Sequence, residues 1–104
     1  MNIFIDDERF PPDDGKDWEI MRTMQEVIDL IKIRDSMGVK ISFISFDHDL
    51  GDGVPTGMDI VKWLCDYDMD NQIFANDFSF YVHSQNPVGK ANIEGYLNQY
   101  LFIR

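Results

Sequence analysis

Hydrophobic positions fall into short runs and helical stripes that alternate along the chain. Residues 2 to 5 (Asn-Ile-Phe-Ile) form a short apolar run that stops at Asp6 and Asp7. Residues 8 to 17 carry Pro11, Pro12, Asp13, Asp14 and Gly15 and read as a loop. Trp18 to Arg22 reads as a second strand. Thr23 followed by Glu26 has capping-box spacing, and Met24, Val27, Ile28, Ile31 and Met37 then recur at helical intervals up to Gly38. Residues 41 to 46 (Ile-Ser-Phe-Ile-Ser-Phe) give the clearest strand, which runs into a loop at Asp47-His48-Asp49-Leu50-Gly51-Asp52-Gly53. Thr56 and Asp59 repeat the capping box, and Ile60, Val61, Leu64 and Cys65 share a helical face. Residues 66 to 77 read as an acidic connection, and 78 to 82 as another strand ending at His83-Ser84. Asn86 suits an N-cap and Pro87 the first helical residue, with Ala91, Leu97, Tyr100 and Leu101 continuing the apolar side. Residues 101 to 103 suit either a helix tail or a short last strand.

Strands alternating with helices imply one parallel sheet with right-handed crossovers. The run at 2 to 5 should lie between those at 18 to 22 and 41 to 46. Ligands of such sheets bind beyond the carboxyl ends of the strands. That edge collects the chemistry here, because the runs at 2 to 5, 41 to 46 and 78 to 82 all end in polar residues.

Composition narrows the class. The 104 residues suit one domain, and the 44% hydrophobic content suffices for a core. A single cysteine, Cys65, rules out an internal disulfide and suggests a reducing compartment. With no run of membrane-spanning length, the expectation is a cytoplasmic protein without membrane contact. A net charge of -10 disfavours sequence-independent DNA binding but leaves room for a single phosphate group.

Asp6, Asp7, Asp47 and Asp49 should share a small volume if their strands are neighbours. Carboxylates that close need a raised pKa or a cation among them. Magnesium, manganese or calcium would suit oxygen ligands, and a nearby imidazole would admit zinc or iron. The expected cofactor is therefore a divalent metal ion (magnesium, manganese or zinc) held by these four residues. His48 and His83, the only histidines, stand at the same edge as candidate proton-transfer groups. Arg9, Ser84, Asn86 and Lys90 are candidates for holding phosphate at the start of the last helix. Each has a plainer role as well: turn capping for the aspartates and Ser84, an ion pair with Asp6 or Asp7 for Arg9. The segment 51 to 57 lacks the lysine of a P-loop, which excludes that kind of NTPase.

Paired acids after the first strand, Asp47 after the third and Ser84 after the fourth resemble a receiver domain of response regulators. Asp6-Asp7-Glu8-Arg9, Asp47-His48-Asp49-Leu50-Gly51-Asp52, Thr56-Gly57-Met58-Asp59 and His83-Ser84-Gln85-Asn86-Pro87 more closely resemble the cyclic-phosphate processing receiver-like family. The resemblance implies a flavodoxin-like, three-layer α/β sandwich with a parallel sheet. It is shortened: a loop replaces the first helix, and the last helix is missing. The resemblance also implies action on cyclic phosphates of nucleotides or RNA ends. No lysine ends a fifth strand, and Arg104 is the nearest substitute. The leading expectation is a metal-assisted phosphoesterase acting on a cyclic or terminal phosphate of a small molecule or RNA end, with Asp47, His48 and His83 catalytic. The alternatives are a signalling domain with Asp47 as phospho-acceptor, or a non-catalytic interaction protein.

Overall fold

A computed structural model describes residues 1–104. The chain runs β1 (Asn2–Ile5), β2 (Trp18–Met21), α1 (Met24–Ser36), β3 (Ile41–Phe46), α2 (Gly57–Asn71), β4 (Phe74–Val82) and α3 (Pro87–Ile103). All strand pairs are parallel, in the order β2-β1-β3-β4. This is the expected α/β receiver-like fold, with β1 between β2 and β3.

Local sequence starts each helix. Thr23–Glu26 and Thr56–Asp59 form reciprocal capping boxes, and the Asn86 side chain accepts from the Gly89 N–H with Pro87 in the first turn. Residues 101 to 103 are the tail of α3. Two boundaries differ from the sequence expectation. The acidic stretch from residue 66 continues α2 to Asn71, and β4 starts at Phe74 rather than 78. Asp68 looks like a loop residue in the sequence, but it is buried and bound by the Phe74 N–H at 2.9 Å and the Tyr100 hydroxyl at 2.6 Å. β4 also carries an irregularity, since Ile41 pairs with Phe74 but Phe43 with Ser79.

Side chains alternate across the sheet. Ile3, Ile5, Ile44, Phe46 and Val82 face the core with Val27, Ile31, Ile60, Leu64, Ile93 and Leu97 from the helices. Right-handed crossovers and the packing of α2 against both α1 and α3 put all three helices on this face. Phe4, Phe43, Ser45 and Tyr81 point the other way. The third layer expected of a sandwich is supplied there by the 6–17 loop rather than by a helix. No helix is long and apolar enough to cross a membrane.

Candidate functional site

The ladder continues one residue past β1, β3 and β4. Asp6 N–H donates to Met21, Asp47 N–H to Ile5 and His83 N–H to Phe46, at 3.1, 2.9 and 2.9 Å. Asp6, Asp47 and His83 are thereby set side by side, with their ligand-type atoms all within 4.8 Å of one another.

Asp6 is fully buried. One oxygen accepts from the N–H groups of Glu8 (3.0 Å) and Arg9 (2.9 Å); the other meets Arg9 Nε at 2.8 Å and His83 Nε2 at 3.0 Å. Burial pushes this carboxyl up, but the Arg9 and Glu8 N–H groups, His83 and the Arg9 charge outweigh it and hold the pKa at about 2. Arg9 Nη2 lies 3.4 Å from Asp47, so one guanidinium bridges both acids. The cation required among these carboxylates is therefore supplied by the chain. Burial alone would lower the Arg9 pKa, but Asp6 and Asp47 raise it. Arg22 ties the loop down by donating to the carbonyls of Asp6 and Arg9, and its guanidinium rests over Phe10.

The His83 ring stacks on Phe4 at 4.6 Å, and its Nδ1 lies 2.7 Å from Ser45 Oγ. In the neutral imidazole, donation from Nε2 to the Asp6 carboxylate leaves Nδ1 to accept from the Ser45 hydroxyl.

His48 points elsewhere. Its Nδ1 meets Asp49 at 2.8 Å, the other Asp49 oxygen accepts from Asn86 at 3.2 Å, and the ring lies against Gly89. The His48 and Asn86 hydrogen bonds lower the Asp49 pKa.

Of the four expected metal ligands, only Asp6 and Asp47 converge; Asp7 and Asp49 line the rim of a polar cleft of about 760 Å³. Arg9, Ser84 and Asn86 line that cleft too, and Ser84 Oγ caps the turn by accepting from the Asn86 N–H. Lys90 lies outside it, with its ammonium 5.6 Å from the Tyr81 ring. Arg104 is paired with Asp68 at 2.8 Å, among the C-terminal turns of α2 and α3, so it does not replace a receiver lysine. As folded, these groups are paired with one another and with Arg9. The four acceptor positions of Asp6 are filled, both His83 nitrogens are engaged, and Arg9 stands between the acids.

Arg9 also borders a second cavity of about 450 Å³ on the helix-free sheet face, whose walls include Phe4, Trp18, Phe43, Ser45 and His83. Sequence reasoning missed Ser45, Phe4 and Arg22. Ser45 carried a weak signal, as a hydroxyl at an otherwise apolar position of β3. Phe4 and Arg22 carried none, because their roles depend on which strands are neighbours.

The family model of the cyclic-phosphate processing receiver domain matches residues 1–99. The chain belongs to this family. No curated protein and no solved structure matches it significantly. In this cyclic-phosphate processing receiver domain, an arginine–histidine pair on one buried aspartate takes the central position at the sheet edge.

Proposed function

We propose that this receiver domain is a phosphoesterase that opens or removes a cyclic or terminal phosphate ester. The observation that carries this reading is the buried, ionised Asp6, which holds the Arg9 guanidinium and the His83 imidazole on the same oxygen. Arg9 has Nε on Asp6 and Nη2 near Asp47, which leaves Nη1 to donate to a phosphoryl oxygen. His83, oriented by Asp6, accepts a proton through the Ser45 hydroxyl. Water attacks phosphorus and the ring P–O bond breaks. The proton that water loses passes through Ser45 to His83 and returns to the departing oxygen. No metal is given a step, because Arg9 already neutralises the acids.

The test is hydrolysis of 2′,3′- and 3′,5′-cyclic phosphates by the wild type, His83→Gln and Arg9→Ala, with and without a chelator. Turnover that survives chelation and falls at least a hundredfold in His83→Gln is expected, in keeping with the roughly 10²–10⁴-fold contribution of acid–base groups. Wild-type inactivity on every substrate would remove the enzyme reading.

A further inference from the structure

The helix-free face of the sheet carries an aromatic pocket unlike the rest of this acidic surface. Phe4 meets Trp18 edge-on at 5.9 Å, and Trp18 meets Phe43 at 5.8 Å. Asp14 accepts from the Trp18 indole N–H at 3.2 Å and so fixes its orientation. The Lys16 ammonium rests 5.3 Å from the Phe43 centroid and 5.9 Å from that of Trp18, which marks π-faces that the fold leaves uncovered. Lys16 is exposed on an unbranched stem and held by a 3.6 Å ion pair with Asp14, a surface contact weak enough for it to swing aside. Two cations, Lys16 and Arg9, thus border aromatic walls in a chain of net charge -10. The pocket's roughly 450 Å³ is within the range of small-ligand sites.

We infer that this face is a base-binding subsite: the substrate is a nucleoside phosphate whose base stacks on Phe43, with Trp18 edge-on beside it, while its phosphate reaches Arg9. Arg9 borders both cavities, so a ligand with a planar apolar end and an anionic end spans them. A sugar phosphate without a base would leave the aromatic walls unused. A long RNA would meet repulsion from the net negative charge, so the occupant is a mononucleotide. The inference rests on the phosphoester reading for its anionic end only.

Trp63→Phe leaves Trp18 as the sole fluorescent indole, since the chain has two tryptophans. In that background, the 2′,3′-cyclic phosphates of adenosine and uridine should quench Trp18. They should also bind about tenfold or more tightly than glycerol 1,2-cyclic phosphate, which has the ring but no base. Phe43→Ala should abolish that preference and leave the glycerol probe's affinity unchanged, which also shows that the variant is folded. Equal affinity for all three probes, or a preference that survives Phe43→Ala, overturns the base subsite and leaves the phosphate reading standing. If no probe binds, both readings fall. Far tighter binding of an oligoribonucleotide with the same cyclic end overturns the mononucleotide in favour of an RNA end.

Discussion

Asp6 satisfies four donors with two oxygens, and its ionisation state therefore governs the geometry around it. Its pKa is lowered from 3.8 to about 2, so its stabilisation is fully present above the ordinary value and is lost as pH falls through the folded value. That shift corresponds to on the order of 2 kcal/mol. Urea unfolding should find Asp6→Asn less stable than wild type by at least about this amount at pH 7, with the gap closing towards pH 2. A gap independent of pH would show that the charge of Asp6 is not what matters. Arg9 is the counter-charge, and its removal should uncover a site. Calorimetry should detect little binding of magnesium, manganese or zinc to the wild type and clear binding to Arg9→Ala, in which Asp6 and Asp47 repel one another. The same variant should bind cyclic phosphates about tenfold to a hundredfold more weakly, as expected on losing charged hydrogen bonds. Equal metal affinity in the two proteins would show that the guanidinium does not stand in for an ion.

At the scale of elements, two helix starts abut the site without room for a side chain. A Cβ on Gly57 would lie 2.1 Å from the Asp47 carbonyl oxygen, and one on Gly89 would lie 2.4 Å from the His48 ring. Gly57→Ala must push α2 away from the end of β3, and thermal unfolding should show a loss of about 1–3 kcal/mol, typical of overpacking. Gly89→Ala should instead displace His48 from Asp49, visible as a changed imidazole resonance in NMR spectra. If phosphoester hydrolysis persists in that variant, His48 is a packing residue and His83 alone handles protons. At the opposite edge, Asp68 ties α2 to β4 and α3 through the Phe74 N–H, Tyr100 and Arg104. Asp68→Ala leaves the buried Phe74 N–H and the Tyr100 hydroxyl unsatisfied, and a loss of about 1–3 kcal/mol is expected in thermal unfolding.

For the whole molecule, a single helical layer is the decisive feature. The helices seal one face of the sheet, and the opposite face keeps only the 6–17 loop, which brings Lys16 over the aromatic rings and Arg9 to the border of their pocket. The same layout argues against phosphoryl signalling. Asp47 is buried and takes Arg9, not a lysine, as its ion-pair partner. Incubation with acetyl phosphate should therefore leave Asp47 unlabelled by mass spectrometry; stable labelling would restore the signalling alternative. Packing also silences Cys65. Burial, with Asp68 and Asp66 nearby, pushes its thiol up to about 12, so a thiol reagent should modify it only after unfolding.

Local patterning determined much of this protein. The strand at 41–46, the two capping boxes, the Asn86–Pro87 helix start and the alternation of strands with helices follow from short-range periodicity and hydrogen-bonding chemistry. The parallel order followed from the handedness of crossovers. The placement of chemically capable residues at one sheet edge was legible for the same reason, since each apolar run visibly ends in them. Partnership was not. Asp6, Arg9 and His83 meet across 77 residues of chain, and Ser45 joins them only because β3 lies between β1 and β4. Asp68 read as a loop because its partners at 74, 100 and 104 are distant in sequence. Whether four acids gather around a metal or two of them close on an arginine depends on distances of a few ångströms. Those distances are set by strand register and by the path of the 6–17 loop, and tertiary structure alone fixes them.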